Sequence, residues 1–215
     1  MLQQSHFVPR VVQELTLTTG QDEDRHANAT ASGRGRRNGG TAILSAEMRE
    51  LCVVFVKLDI QLNHSAVLSQ AVFACVQTVV YQFGGSVNKL IVDDKGTLVL
   101  LCFGLPPLVQ PDAPIRAVAA ASLLQGQLWL KFRVGAALGV TFSRCFCGTV
   151  GSDTRREYTV MGDGVNLAAR LMGEAASAFG RKGGVMMDPH VALQVRSSTR
   201  DDSPAFLSPF LLPRG

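Results

Sequence analysis

The stretch FSRCFCGTVGSDTRREYTVMGDGVNLAARL, from Phe142 to Leu171, does most to indicate the fold. Residues Cys145 to Val150 favour an extended strand, and Gly151-Ser152-Asp153 is typical of a turn. Tyr158-Thr159-Val160 predicts a second, short strand. A helix then begins through Gly162-Asp163-Gly164, with Asp163 as its expected N-cap.

The predicted helix carries two polar side chains at a spacing that suits a phosphorylated ligand. Its expected buried stripe consists of Val165, Ala168, Ala169 and Met172. Asn166 and Arg170 lie four residues apart and project from one face. An amide suits a ribose hydroxyl, and the planar guanidinium suits a phosphate. Many helices carry the same pair as a solvated face, so the residues alone leave both interpretations open.

Length and charge restrict the class of protein. The chain has 215 residues, of which 47% are apolar, and this suits one domain with tails. Its net charge of +4 fits an anionic ligand such as a nucleotide, but the longest basic run, Arg34 to Arg37, does not indicate nucleic-acid binding. No apolar run approaches the ~20 residues of a membrane span, and a signal peptide is not evident. We therefore expect a soluble, cytoplasmic protein.

The five cysteines lie in apolar runs, where they are expected to act as small buried hydrophobic residues in a reducing compartment. Cys145 and Cys147 share one face of their strand. No second cysteine pair or nearby histidine completes a zinc site, so we expect no metal to be held by cysteine.

The remaining patterns divide the chain into three parts. Residues 1–46 are expected to be a disordered segment or linker, residues 47–196 one domain, and residues 197–215 a tail. The elements predicted before the opening stretch are a strand (Leu51–Ile60), a helix (Ser65–Phe83), a hairpin of two strands (Ser86–Val92 and Thr97–Phe103), a helix (Ile115–Leu130) and a strand (Phe132–Val140). A further short strand is predicted from Gly183 to Met187. This βαββαβ order predicts an α+β, ferredoxin-like fold.

The run EYTVMGDGVNLAAR, from Glu157 to Arg170, resembles the signature of class III nucleotide cyclases. Further matching segments are Cys102-Phe-Gly104, Arg116-Ala-Val118 and Gly148-Thr-Val-Gly151, and the resemblance covers about residues 50 to 195. It implies an enzyme that converts a nucleoside triphosphate into a cyclic 3′,5′-monophosphate and pyrophosphate. It also implies a dimer of two ferredoxin-like halves, with the active site at their interface.

The resemblance implies that one half of such a dimer supplies two aspartates that bind Mg²⁺ or Mn²⁺. At the first of these positions, after Phe55-Val56, this chain has Lys57, and at the second, after Gly96, it has Thr97. Asp59 is near but two residues farther on. Magnesium requires hard anionic oxygens. An ammonium group adds repulsion of about 4 kcal/mol per unit charge at ~4 Å and an effective dielectric constant of about 20. We therefore expect that this half does not assemble the metal site alone.

The complementary set of residues is present. The resemblance implies that Asn166 orients the ribose and that Arg170 stabilises negative charge on the phosphates. It also implies that Thr159 and Lys89 recognise the base, a pair that suits adenine. Lys95 is the alternative to Lys89, because in most cyclases the lysine that contacts the base lies closer to the glycine at position 96.

The arrangement is most similar to the second, C2-type half of the bicarbonate-responsive soluble adenylyl cyclases. The segment Asn88-Lys89 contributes to this similarity. Lys57 has two open interpretations, as a contact to a triphosphate oxygen or as a solvated lysine at a strand end.

Three functions follow as hypotheses. The first is a C2-like half that forms cyclic AMP from ATP together with a metal-bearing C1-type partner half. The second is a regulatory pseudo-cyclase that acts by dimerisation without catalysis. The third, an RNA-binding module, requires exposed aromatic residues on central strands. Phe55, Phe103 and Phe132 lie instead in apolar runs, which disfavours it.

Overall fold

The computed structural model describes residues 46–60, 65–93, 96–152, 156–198 and 210–211. The predicted linker, apart from Ala46, therefore lies outside the described residues, as do Lys95 and most of the predicted tail. The described strands are β1 (Glu47–Leu58), β2 (Gly85–Asp93), β3 (Gly96–Phe103), β4 (Ala136–Gly151), β5 (Arg156–Met161), β6 (Val185–Met187) and β7 (Phe210–Leu211). The α-helices are α1 (Ala66–Gln82), α2 (Ala113–Phe132), α3 (Asp163–Ala178) and α4 (Pro189–Ser198), and a 3₁₀ turn spans Gly180–Lys182.

The strands form one sheet in the order β2-β3-β1-β4-β6-β7, with β5 paired to β4. β1 is antiparallel to both neighbours, so that Val54 lies opposite Leu101 on β3 and Val140 on β4. β4 and β6 are parallel. β1 is buried on both faces, as its dense apolar sequence predicts. The α+β, ferredoxin-like fold predicted from the sequence is confirmed.

The two faces of the sheet are covered by different helices. On one face, a large core joins β1 and β3 to α1, α2 and α4, and its largest fully buried side chains include Leu58, Leu101, Leu124 and Leu128. On the other face, α3 covers a smaller core, which includes Leu51, Val53, Leu100, Cys102, Cys145, Cys147, Tyr158, Val160 and Ala168.

The boundary between α2 and β4 differs from the prediction. Phe132 is the last residue of α2 and not the first residue of a strand, and β4 begins at Ala136. The helix ends at Arg133, which has left-handed backbone angles (φ 56°), and the N–H of Val134 donates to the carbonyl of Leu128. A short apolar run at a helix end resembles a strand in sequence, because periodicity cannot separate the two.

β4 also continues farther than predicted. It runs without interruption to Gly151 and contains both the predicted fourth strand and the segment from Cys145 to Val150. Glu47 on β1 still pairs with Cys147 at this end. β4 thereby extends beyond the centre of the sheet and pairs there with β5.

The start and the buried face of α3 differ from the prediction. Asp163 is the first helical residue, and the N-cap is Gly162, which forms no side-chain cap. The expected stripe is also rotated, since Val165, Ala169 and Met172 are only half-buried. The fully buried residues of α3 are Gly164, Ala168, Leu171 and Ala175.

Two glycines explain the rotation of the helix. A Cβ atom on Gly139 of β4 would collide with the carbonyl oxygen of Ala168, and one on Gly164 would collide with the hydroxyl of Ser143. The absence of these side chains lets α3 approach β4 closely. The smallest residues thus set the buried face, and the bulkier apolar ones lie at its margin.

Within the part of the chain that the structure describes, none of the helices has both the length and the apolar character needed to cross a membrane.

Candidate functional site

Lys89 and Thr159 are brought together where β2 approaches β5. The Nζ atom of Lys89 lies 3.3 Å from the Oε1 atom of Glu157. Glu157 and Thr159 are two residues apart on β5, so their side chains project to the same side of that strand. Lys89 therefore reaches the side of β5 that carries Thr159. The backbone of β2 is irregular at this point, with a shift of register between Val87 and Lys89.

The neighbours of Thr159 on β5 belong to the core. Tyr158 and Val160 pack into the smaller core, whereas Thr159 lies on the alternate side and is 3% exposed. Burial raises the pKa of the Tyr158 hydroxyl, and the nearby Cys147 thiol raises it further. Tyr158 consequently stays neutral and anchors the strand that presents Thr159.

Asn166 and Arg170 form a second pair on α3. Both residues are exposed and lie one turn apart on the helix face directed away from β4. The backbone N–H of Asn166 donates to the carbonyl of Gly162, so the residue belongs to the first turn of the helix. Among the described residues, no recorded contact joins this pair to Lys89 or Thr159.

The two positions at which the resemblance implies metal-binding aspartates do not fit a divalent metal here. Lys57 is half-buried and lies opposite Leu98 on β3. Thr97 lies opposite Leu58, is 1% exposed, and donates its hydroxyl to the carbonyl of Ile60 at 3.3 Å. Because adjacent residues of paired strands alternate between faces, Lys57 and Thr97 point to opposite sides of the sheet. The set offers an ammonium group and an already bonded hydroxyl, which are not magnesium ligands.

Asp59 does not replace the missing carboxylates. Its side chain is exposed, and its Oδ2 atom lies 3.9 Å from the Nε atom of Arg181. Its backbone N–H donates to the carbonyl of Gly135. Across the described ranges, no group of three or more His, Cys, Asp or Glu side chains is placed to hold a metal ion.

Asp188 is a buried carboxylate that was not predicted from the sequence, and its contacts lie within the fold. Its Oδ1 atom accepts from the N–H of Val191 at 2.7 Å, and its Oδ2 atom accepts from the N–H of Phe142 at 3.0 Å. It caps the start of α4 and links that helix to β4. An aspartate followed by proline is a helix-start signal, so the sequence contained the information.

The contacts of Asn88 and Glu157 beside Lys89 were likewise not predicted from the sequence. The amide Nδ2 of Asn88 donates to the carbonyl of Tyr158 at 3.5 Å. This bond and the ion pair between Lys89 and Glu157 join residues about seventy positions apart. No local pattern in the sequence indicates such contacts.

The five cysteines are free thiols, and all except the half-buried Cys75 are buried, as expected. Burial raises the pKa of the Cys147 thiol to about 11 and raises that of Cys102 as well. The thiols are therefore poor nucleophiles near neutral pH.

Comparison with curated proteins gives relatives that include adenylate cyclases. The chain is 36% identical over 132 residues to adenylate cyclase type 10 of Oryctolagus cuniculus, and 33% identical over 132 residues to that of Homo sapiens. Each match covers 59% of this chain and 8% of the relative, so the chain spans a small fraction of their length. An uncharacterized protein of Mycobacterium tuberculosis is 34% identical over 147 residues, which are 64% of this chain and 26% of that protein. No family model matches the chain.

Solved structures share the fold. The adenylyl cyclase CyaB from P. aeruginosa superposes with a TM-score of 0.62 at 18% identity, covering 72% of this chain and 84% of that one. The guanylyl cyclase Cya2 gives a TM-score of 0.59 at 19% identity, covering 70% and 80%. The chain therefore has the fold of class III nucleotide cyclase catalytic domains, and its sequence similarity to adenylate cyclase type 10 confirms the resemblance found in its motifs.

Proposed function

We propose that this chain is the C2-like half of an adenylyl cyclase, which converts ATP into cyclic AMP and pyrophosphate together with a metal-bearing C1-type half. One observation carries the proposal. At the two metal positions the chain has Lys57 and a Thr97 whose hydroxyl is bonded within the fold. The groups that suit a nucleotide are nevertheless present on β2, β5 and α3.

Lys89 and Thr159 form the subsite for the base. An ammonium group donates to a ring nitrogen, and a threonine hydroxyl accepts from an exocyclic amine, a pattern that suits adenine. The ion pair between Lys89 and Glu157 supports this assignment, because it directs Lys89 toward the side of β5 that carries Thr159. Lys95, the alternative, lies outside the described residues.

Asn166 and Arg170 form the subsite for the ribose and phosphates. Their exposure on α3 leaves both side chains available to a nucleotide that is bound between two halves. Arg170 presents a fixed positive charge where negative charge develops as the phosphate bonds rearrange. Asn166, one turn earlier, orients the ribose. The Mg²⁺ or Mn²⁺ ions belong to the C1-type half, because this half offers no suitable ligands at the corresponding positions.

The partner half is a separate chain or a second domain of a longer protein. A solved guanylyl cyclase domain of the same fold, from Blastocladiella emersonii, is described as a non-canonical dimer, so domains of this fold do associate in pairs. We place the reaction in the cytoplasm, where reduced cysteines such as the five free thiols persist.

Reconstitution tests the proposal. The purified chain is mixed with a C1-type half that carries both aspartates, and cyclic AMP formed from ATP with Mg²⁺ or Mn²⁺ is measured. We expect turnover in the mixture and none from either half alone. Formation of cyclic AMP by this chain alone would contradict the expected inactivity of its homodimer.

The second candidate function is a regulatory pseudo-cyclase domain, which is favoured by the replacement of both metal-binding aspartates. Titration of labelled ATP into the chain, with and without the C1-type half, separates the two functions. A mixture whose turnover is abolished by Arg170→Ala supports the C2-like half. A chain that alters the partner's activity equally well with and without Arg170 is regulatory.

A further inference from the structure

Asn88 is a buried polar residue that the fold leaves incompletely bonded. It lies on β2 immediately before Lys89 and is 6% exposed. Its Nδ2 atom donates to the carbonyl oxygen of Tyr158 on β5 at 3.5 Å. Its Oδ1 atom is fully buried and has no hydrogen-bond partner among the described residues.

The orientation of this amide is determined by its surroundings. The reverse orientation would place Oδ1 against the Tyr158 carbonyl, with two acceptors facing each other. The observed orientation keeps one long hydrogen bond, at the limit of the usual distance, and leaves the other polar atom unpaired. A buried acceptor without a partner is destabilising, and an apolar side chain of similar size would avoid this cost. Stability alone therefore does not account for an asparagine at this position.

The position of Asn88 beside the proposed base subsite suggests a functional reason for an asparagine here. Its hydrogen bond reaches the backbone of Tyr158, the residue directly before Thr159. The next residue of β2, Lys89, forms the ion pair with Glu157, the residue directly before Tyr158. Two adjacent residues of β2 thus contact two adjacent residues of β5, and both contacts lie beside the proposed base subsite.

We propose that Asn88 is a positioning residue of the base subsite, which fixes the separation of Lys89 and Thr159 and thereby sets the preference for adenine over guanine. The inference rests on the proposed function, because it deepens the role of that same subsite. The hydrogen bond to Tyr158 holds the β5 backbone in register with Lys89. Loss of the bond lets the two groups move apart, and discrimination between bases then falls.

Competitive binding tests the inference. The full chain is mixed with the C1-type half, a fluorescent ATP analogue is bound, and unlabelled ATP and GTP are titrated as competitors. Asn88→Leu removes the amide without leaving a cavity, and Asn88→Ala is a second variant. We expect both to reduce the preference for ATP over GTP about tenfold, the size of effect associated with one well-placed hydrogen bond.

Ser86→Ala is the matched control. Ser86 lies on the same strand, is 2% exposed, and donates its hydroxyl to the carbonyl of Cys102 on β3, away from β5. It is expected to lower the melting temperature and leave the base preference within twofold of the wild type. The melting temperature of Asn88→Leu is expected to equal or exceed that of Ser86→Ala.

The outcomes separate the inference from the function on which it rests. If the wild-type mixture prefers ATP and Asn88→Leu retains that preference within twofold, Asn88 has no positioning role and the inference is wrong. If the wild-type mixture binds neither nucleotide, the proposed function fails, and this inference fails with it.

Discussion

Two regions of the sheet use their polar residues in opposite ways. At the end of β1 and the start of β3, Thr97 is buried and its hydroxyl is bonded to the carbonyl of Ile60. At the approach of β2 to β5 and on α3, Lys89 is partly exposed, whereas Asn166 and Arg170 are exposed. In the first region the Thr97 hydroxyl is bonded within the fold, whereas in the second the polar groups of Lys89, Asn166 and Arg170 remain at least partly exposed.

On the proposed function, this difference means that a composite site lacks its metal-binding part while the fold is intact. Metal binding requires carboxylates at fixed positions, and two substitutions are enough to abolish it. The packing that positions α3 and β5 depends on other residues, chiefly the apolar core and close contacts at glycine. The proposed C2-like half can therefore lack metal ligands and still carry the groups assigned to the nucleotide.

The largest effect is expected at Arg170. Arg170→Ala should lower the turnover of the mixed dimer by a factor of about 10² to 10³, because it removes a fixed charge that stabilises the transition state. Cyclic AMP formation at saturating ATP measures this. Lys131→Ala, which removes an exposed charge from α2, is the control and should change turnover less than twofold. Equal losses in both variants would mean that Arg170 is only a solvated residue.

Substitutions of Thr97 test whether this position is part of the folded core. Thr97→Asp should reduce the free energy of unfolding by about 3 kcal/mol or more, because it places an unpaired carboxylate in a buried position. Thr97→Val, which loses only the hydrogen bond, should cost about 1 kcal/mol. Denaturant unfolding measures both. A Thr97→Asp variant of unchanged stability would show that this position can still accept a metal ligand.

Asp188 provides a contrast with the proposed site, because it is a buried carboxylate that accepts from two backbone N–H groups of the fold. Asp188→Ala should reduce the free energy of unfolding by about 2 kcal/mol, since two backbone N–H groups lose a charged acceptor. Asp188→Asn should lose less. Both variants should bind ATP normally at a temperature where they are folded, and a selective loss of ATP binding would assign Asp188 to the site instead.

The buried thiol of Cys147, which lies on β4 opposite Val160 of β5, should make the stability of the fold depend on pH. The pKa of Cys147 is about 11 in the folded chain and is raised above the usual value of 9.0 by burial. The Cys147 thiol therefore holds its proton more tightly in the folded state than in the unfolded state. Its contribution to the free energy of unfolding is fully present below about pH 9 and is lost as the pH rises toward 11. Unfolding by urea at pH 8 and pH 10.5 should show the fall, and Cys147→Ala should reduce it.

The smallest effect is expected at Glu157. Its ion pair with Lys89 is partly exposed, with side-chain exposures of 57% and 28%, so Glu157→Gln should change the free energy of unfolding by less than about 1 kcal/mol. ATP affinity should fall no more than about threefold, because Lys89 keeps its place on β2. A loss as large as that expected for Arg170→Ala would mean that Glu157 contacts the nucleotide itself.

The apolar patterns predicted most of the fold. The dense apolar run of β1 matches its burial on both faces, and the helical spacing of apolar residues in α1 and α2 matches the faces that they bury. The end of α2 was misplaced because the left-handed conformation at Arg133 has no sequence signature. The buried face of α3 was misplaced because its contact depends on Gly139 of another strand, and tertiary packing overrides a local stripe.

For the candidate site, the motif located Asn166, Arg170 and Thr159, and their roles remain predictions. The contacts of Asn88 and Glu157 were not predictable from the sequence, because they connect strands that are distant along the chain. The bond of Thr97 to Ile60 was missed for a different reason. A motif comparison records which residue replaces an aspartate but not which face of the sheet its side chain occupies.

The close contact of α3 with β4 has a consequence for the rates of motion within the site. A Cβ atom on Gly139 would meet the backbone carbonyl of Ala168, and one on Gly164 would meet the side chain of Ser143. Because the two elements lie this close, α3 cannot shift against β4 without disrupting their contact. Its central amide protons should exchange with solvent only when the whole domain opens, whereas those at the margin of β5 exchange through local opening. On the proposed function, Arg170 then lies in the more rigid part of the site, and Thr159, on β5, lies in the part that opens locally.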